Sequence, residues 1–535
     1  MELPIKILIV DDDLVVINII RNILKQNAYL TDFCFSGEDA LEKIHANRFD
    51  LVLLDVYMGK GMDGYETCAK IRALQPKLPV ILVTAMQDDE SVNKGFEAGS
   101  SDYIKKPVSK LELLARVNNI ITYKRAEQRN LQLIETLQKD LKTAANIQRA
   151  MLPKWVYLDK QMLISSFYEP SESVGGDLFD KVRLSESKYV VYIGDISGHG
   201  VQAALLMTAL KSVIKLMIET FQEDWNLADL FNRLNELFYE ELSLRHNYLT
   251  LLMCVVDLAE GELRILNAGH PPLIRISGLD KEVEVLNKKG SLPLGWLEEE
   301  NYRQEDIERI PLTKEDIFLL YTDGIYECND QDNNMFGLDG LERFLNRYQI
   351  DDICLPLPYK IREHLDENGF ETTTDDFSLL AFQLVGSDES RLENTCKYRH
   401  HIFLRSALKG VGKTAMEGEK MVLHWTGDDT LAAKAELIID EFLNNIICYG
   451  YQNESDAEII VALKICPHRL YIQFWDKGIA WDPEDVDYNV NKPYDFDQDL
   501  LGTEGRGLKM ITSLSNGFKR LRYADLNETK VEIIF

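Results

Sequence analysis

The chain is short of three things: paired cysteines, positive charge and long apolar runs. Its eight cysteines form no CxxC pair, so neither a zinc knuckle nor a disulfide framework is predicted, and reduced core thiols are expected. Lys and Arg number 59 against 88 Asp and Glu, a formal net charge of −29. That balance removes the nonspecific attraction that draws proteins to phosphate backbones or anionic lipid. No run of about 18 apolar residues occurs, and the start MELPIKILIVDDD lacks a basic n-region and a small-residue cleavage site. The expectation is a cytoplasmic protein that contacts neither nucleic acid nor membrane directly. At 535 residues the chain exceeds what one hydrophobic core supports, so several folded units are joined.

What is present begins with buried-strand patterns that end in acid. KILIV (6–10) runs into Asp11, Asp12 and Asp13, and DLVLLDV (50–56) carries Asp55. Helical periodicity lies between them, as in VVINIIRNILKQ (15–26), which predicts a doubly wound α/β sheet. Strand carboxyl ends gather at one edge of such a sheet, where Asp11, Asp12 and Asp55 can meet and attract a hard divalent cation. Two more strand ends supply Thr84 (ILVTA, 81–85) and Lys106 (DYIKKPV, 102–108). Over residues 1–122 this pattern resembles the receiver domain of two-component response regulators. The resemblance makes Asp55 the phosphoacceptor and assigns Mg²⁺ to Asp11, Asp12, Asp55 and the Tyr57 carbonyl. It gives Lys106 and Thr84 to the phosphoryl group and makes Tyr103 the reporting aromatic. Where that family usually has a Met-Pro turn, this chain reads VYMGKGMDG, with Gly59.

Residues 123–155 have no glycine and no proline before Pro153, and Ile134, Leu137, Leu141, Ala144 and Met151 recur at heptad-like spacing, interrupted by Gln148. A long helical linker is predicted. Its stripe suits either a parallel homodimer or packing against its own neighbouring domain.

Between 156 and 386, aspartates far apart in sequence each stand at the edge of an apolar strand. They are Asp177 and Asp180 in SVGGDLFD, Asp195 in YIGDISGHG, Asp323 in FLLYTDGIYE, and Asp375 and Asp376 in TTDDFSLLAF. The glycine loop after Asp195 lacks the Lys-Ser/Thr of a P-loop, and a carboxylate there repels phosphate unless metal intervenes. Carboxylates at such strand ends, with glycines close by, fit two hard cations. Together with NAGHPPLI (267–274), LPLG (292–295) and AANIQRAMLPK (144–154), these motifs resemble the PPM metal-dependent serine/threonine phosphatases in their stage II sporulation E-like branch. The resemblance implies an α/β/β/α sandwich in which Asp177, Asp195, Asp323 and Asp375 hold two Mn²⁺ or Mg²⁺ ions, with the Ile196 carbonyl adding a ligand. Asp180 is a weaker candidate, and His199 and His270 suit turn or packing roles.

From 387 onward, a polar stretch leads to the amphipathic helix DTLAAKAELIIDEFLNNIICYGY (429–451), which sets Glu441 and Asn445 on one face. IQFWDKGIAWDP (472–483) ends a strand on Asp476, and GTEGRGLKMI (502–511) places glycines at a helix start. In this order the motifs resemble the GHKL ATP-binding fold, an α/β two-layer domain, and among its members the serine kinases that act as anti-sigma factors. By resemblance Asn445 holds Mg²⁺, Glu441 is the general base, Asp476 bonds the adenine amine, and Gly478, Gly505, Gly507 and Thr529 shape the ATP pocket. Tyr449 stands where the family often has histidine, and Ala480 where it often has glycine.

The expected whole is therefore multidomain α/β and α+β: receiver 1–122, helical linker 123–155, phosphatase 156–386 and ATPase-like domain 387–535. The resemblances imply a partner-switching regulator. Its substrate would be a STAS-type anti-sigma antagonist, its other partners a sigma factor and an upstream histidine kinase or phosphotransfer protein. The alternative is a sigma-sequestering protein whose last domain binds without phosphorylating. A histidine kinase is disfavoured, since no dimerising helix with a phosphoacceptor histidine precedes the ATP domain.

Overall fold

The computed structural model describes residues 4–59, 61–85, 89–198, 200–220, 226–241, 247–278, 280–313, 316–347, 353–372, 375–385, 398–405, 408–452, 457–480 and 506–535. The chain divides into two compact units, Met1–Asp140 and Leu141–Phe535.

The first unit holds five parallel strands in the order Leu30–Cys34, Lys6–Val10, Leu51–Asp55, Val80–Thr84, Asp102–Lys105. The three central strands are buried almost end to end, as strands covered by helices on both faces must be. Asp13 caps the helix Leu14–Lys25 by accepting from the Val15 N–H at 2.7 Å, so the acidic strand end also starts a helix. The last helix runs unbroken over 42 residues, Lys110–Met151, taking in both the receiver's closing helix and the linker. Ile134 and Leu137 of the heptad stripe are exposed at 50% and 52%.

The second unit begins with two antiparallel sheets. One orders Glu308–Pro311, Glu262–Ala268, Leu249–Asp257, Lys188–Ile196, Leu178–Arg183; the other orders Val283–Leu286, Leu273–Ile276, Ile317–Tyr321, Phe377–Leu384, Met162–Glu169, Val156–Leu158. The helices Val201–Thr220 and Leu227–Glu241 share the apolar cluster of the first sheet, and Gly337–Arg347 and Leu357–Glu367 that of the second. Val201–Thr220 is long and apolar enough to cross a membrane, yet Met207, Leu210, Ile214 and Ile218 along it are buried in the first cluster.

A third sheet follows in the order Tyr398–Arg405, Glu458–Cys466, Arg469–Asp476, Leu526–Ile534, Gly517–Tyr523. The helices Leu408–Thr426, Asp429–Asn445 and Arg506–Leu514 pack on one face of it. Its other face puts Trp475 and Leu526 into the apolar cluster of the second antiparallel sheet, and Lys154 pairs with Glu458 at 3.0 Å.

Candidate active sites

In the first unit the parallel sheet brings the carboxylate oxygens of Asp11, Asp12 and Asp55 within 4.8 Å of one another. The Lys106 Nζ lies 2.8 Å from Asp11 Oδ2 and 2.9 Å from Asp55 Oδ1. Burial pushes the Asp55 carboxyl up to about 6, the Lys106 hydrogen bond opposing it and the Asp11 charge adding to it. Thr84 is buried, and the Tyr103 ring meets Phe96 edge-on at 6.3 Å and Arg116 at 5.2 Å. The Tyr57 side chain is exposed while its backbone N–H donates to Asp55, so Tyr57 serves here through its main chain. Gly59 has φ +66°, and a Cβ there would sit 3.3 Å from Asp12 Oδ2. Proline, locked near φ −65°, does not fit this turn, which accounts for its absence from the motif.

In the second unit the antiparallel sheets bring the predicted aspartates together from four strand edges. Asp195 ends Lys188–Ile196 and pairs with Thr250, whose Oγ1 accepts from the Asp195 N–H at 3.3 Å. Asp177 precedes the strand Leu178–Arg183; its Oδ2 accepts from Thr322 Oγ1 at 2.9 Å, while its Oδ1 is buried with no hydrogen-bond partner among the described residues. Asp323 opens a short 3-10 turn after Ile317–Tyr321, and Asp375 is exposed just before Phe377–Leu384.

The charges in this cluster act on each other. Asp195 is pushed up to about 8 by burial, then by Asp323, Asp375 and Asp376. Asp323 rises to about 6 through burial and Asp375, and Asp177 lies well above the carboxylate range through burial, Asp195 and Asp376. Among the described residues no ion pair reaches Asp177, Asp195 or Asp323. A Cβ on Gly176 would lie 3.0 Å from the Ile196 carbonyl oxygen and 3.3 Å from Asp195 Oδ1, so the glycine keeps that carbonyl and carboxylate accessible. An orphaned buried carboxylate oxygen, mutually repelling acids and a bared carbonyl form a donor set that fits hard divalent cations. Among the described residues no three of these acids come within 4.8 Å of one another as the receiver trio does.

Several residues singled out in the sequence take supporting roles that it did not assign. Asp376 accepts from the Ser171 N–H at 2.8 Å, Ser171 Oγ at 3.0 Å and the Gly176 N–H, tying down the loop that presents Asp177. Gln148 donates to the Gly175 carbonyl at 2.6 Å and accepts from its N–H at 3.1 Å; the residue that interrupts the heptad stripe thus holds the active-site turn. Asp180 forms a largely buried pair with Lys211 at 2.7 Å, a structural role. His270 is buried, pushed down to about 3 by desolvation, and meets Thr250 Oγ1 through Nδ1 at 2.8 Å. It stays neutral and supports Asp195 from behind through Thr250. His199 and Gly505 lie outside the described residues.

In the last sheet, Glu441 and Asn445 share a face of Asp429–Asn445, and burial, then Asp440, raises Glu441. Asp476 and Thr529 are fully buried. Asp476 Oδ1 accepts from the Gly478 N–H at 2.9 Å and Asn527 Nδ2 at 2.8 Å. A Cβ on Gly478 would lie 2.9 Å from Gly450, so only glycine allows this close approach. Gly507 lies in the first turn of Arg506–Leu514.

Three family models match: the response regulator receiver domain over residues 7–118, stage II sporulation protein E over 185–385, and the histidine kinase-like ATPase domain over 405–535. The phosphoserine phosphatase RsbP of Bacillus subtilis is 28% identical over 191 residues, covering 36% of this chain and 46% of RsbP. A response regulator, MprA, of a Mycobacterium species is 38% identical over 119 residues, 22% of this chain and 51% of MprA. The chain thus spans about half the length of these curated relatives. A solved structure of the RsbU and RsbW domains of a Mycobacterium tuberculosis protein aligns over 70% of this chain and 93% of its own at 20% identity, with a TM-score of 0.37.

Proposed function

From a chain that joins a response regulator receiver, a stage II sporulation E-type PPM phosphatase domain and a histidine kinase-like ATPase domain, we propose a phosphorylation-controlled, metal-dependent protein serine phosphatase that works in partner switching. Asp55 receives a phosphoryl group from a histidine kinase or phosphotransfer protein. The phosphatase domain hydrolyses phosphoserine on a STAS-type anti-sigma antagonist. The ATPase domain, with Mg²⁺ and ATP, rephosphorylates that antagonist or holds the sigma factor.

The observation that carries the phosphatase reading is the cluster around Asp195, with its raised carboxyls and the orphaned Asp177 oxygen. Asp177, Asp195, Asp323, Asp375 and the Ile196 carbonyl would hold two Mn²⁺ or Mg²⁺. When bound, such ions lower the pKa of the attacking water and neutralise charge on the phosphoryl oxygens. The chain's own part is to position. Thr322 fixes Asp177, Asp376 and Gln148 fix the 171–176 loop, and neutral His270 steadies Thr250 against Asp195. The full chain with Mn²⁺ should release phosphate from a phosphoserine protein of the STAS class, and acetyl phosphate should change that rate in wild type but not in Asp55→Asn. Equal responses in both would remove the receiver switch; no release with Mn²⁺ would remove the phosphatase.

A second reading, sequestration without phosphorylation, is favoured by one observation: Asp476, the acid expected to receive the base, already holds a full set of donors, Arg520 among them. Sigma binding by wild type with no ATP-dependent phosphorylation of the antagonist, unchanged in Asn445→Ala and Glu441→Gln, would support it; phosphorylation by wild type that these variants lose, or absence of sigma binding, would exclude it.

A further inference from the structure

The ATPase domain contains a buried guanidinium that neither proposed reaction uses. Along Gly517–Tyr523 side chains alternate between faces, and Phe518 packs into the helix-covered core, which puts Arg520 on the same face. Its side chain is 4% exposed, and that of Asp476 is 0%. Arg520 NH1 and NH2 each lie 3.4 Å from Asp476 Oδ2, and NH1 donates to Thr529 Oγ1 at 2.7 Å. The guanidinium also lies 5.9 Å from the ring centre of Phe442, the neighbour of Glu441. A carboxylate offers about four lone-pair sites. Those of Asp476 are taken by the Gly478 N–H, Asn527 Nδ2 and the two Arg520 nitrogens.

We propose that Arg520 is an internal plug of the base site: its guanidinium occupies the acceptors on Asp476 and Thr529 that an adenine amine needs, and adenine nucleotide enters only when this pair opens. The inference rests on the reading that Asp476 receives the base. Two features argue against a purely structural pair. A buried ion pair contributes little that well-packed apolar side chains would not. The 3.4 Å separations are also longer than the roughly 2.8 Å of a strong charge-assisted bond, so the guanidinium is held mainly by Thr529, at 2.7 Å, and only loosely by Asp476. By contrast Arg522 is tied to Asn527 Oδ1, the Gly478 carbonyl and the Ala524 carbonyl. If the open form is about one-tenth of the population, apparent affinity falls tenfold.

The sign of the effect separates a plug from an ordinary cation. An arginine that merely stood near a polyanion would assist it, and its removal would weaken binding. The plug gives the opposite sign. Calorimetric titration of the full chain with Mg·ATP should show Arg520→Met binding roughly tenfold tighter than wild type, a gain of about 1.4 kcal/mol, with tripolyphosphate unchanged between the two. Equal or weaker ATP binding in the variant, or the same gain for tripolyphosphate, overturns the plug and leaves the nucleotide site standing. Absence of ATP binding in both proteins overturns the nucleotide reading and the plug with it. If the methionine variant has a lowered melting temperature or loses phosphatase turnover, Arg520→Gln, which keeps a donor for Thr529, makes the same comparison under the same criteria.

Discussion

Asp55 and Asp195 both end an apolar strand, and the protein handles their charges in opposite ways. Asp55 has a resident cation: the Lys106 ammonium touches it and Asp11 and opposes the burial that raises the carboxyl to about 6. Burial, then the carboxylates of Asp323, Asp375 and Asp376, push Asp195 up to about 8. On the proposed reading, the site that accepts and releases a phosphoryl group carries its own counter-charge in Lys106. Asp177, Asp195 and Asp323, which no ion pair reaches among the described residues, would on the same reading attract imported cations through their mutual repulsion. Asp476 is a third solution, buried against an arginine of its own sheet.

The largest break in this comparison is Asp195→Asn. Hydrolysis should drop by about three orders of magnitude or more, because a carboxylate of the proposed metal site is lost. The metal-free protein should melt at a higher temperature than wild type, since mutual repulsion is relieved. A phosphate-release assay and a thermal melt in chelator read the two effects, and a variant that lost activity and stability together would show that Asp195 is structural.

Next is pH. Asp195 and Asp323 bind their protons more tightly folded than unfolded, so folding is favoured at low pH and that contribution is lost as pH rises from the ordinary aspartate value near 4 through about 6 and about 8. Metal-free wild type should therefore lose melting temperature between pH 5 and 9 more steeply than Asp195→Asn. Excess Mn²⁺, which competes with protons, should reverse the slope. Identical slopes in the two metal-free proteins would remove the coupling.

Much of this was legible in the sequence because both sites sit at strand ends, and strand ends are punctuated by acid and glycine. The same signal could not rank Asp375 above Asp376, adjacent residues that the strand start sends to different tasks, one exposed beside the other acids and one buried as a loop anchor. The end of the receiver left no mark either: residues 109–152 contain neither glycine nor proline, and one helix runs through. Arg520, in the edge strand Gly517–Tyr523, and Asn527, in its inner neighbour, were invisible because a polar residue in a strand reads as solvated until the register puts it opposite Thr529 or Asp476.

The resident cation gives a smaller effect. Lys106→Met leaves Asp11 and Asp55 buried together without their counter-charge, and Lys106 is itself 22% exposed. The cost should be about 1–3 kcal/mol, below the full penalty of a broken buried pair. Denaturant unfolding followed in the first unit reads it, and Asp55→Asn on the same background should recover part of the loss. Without recovery, the charge of Asp55 is not what Lys106 offsets.

Gln148 makes the finest distinction, since it belongs to the linker helix yet serves the uncompensated site. Replacing it by leucine improves the heptad stripe and strands two buried main-chain groups of Gly175, each costing about 1 kcal/mol or more when unpaired. If its work is to hold the turn that presents Asp177, Gln148→Leu should weaken Mn²⁺ activation several-fold while leaving the rate at saturating Mn²⁺ within about twofold, because no ligand is removed. A fall in the saturated rate with unchanged Mn²⁺ dependence would instead make the linker end part of the substrate surface. The asymmetry between the two sites would then lie in how they meet their protein partners, and the cations would be secondary to it.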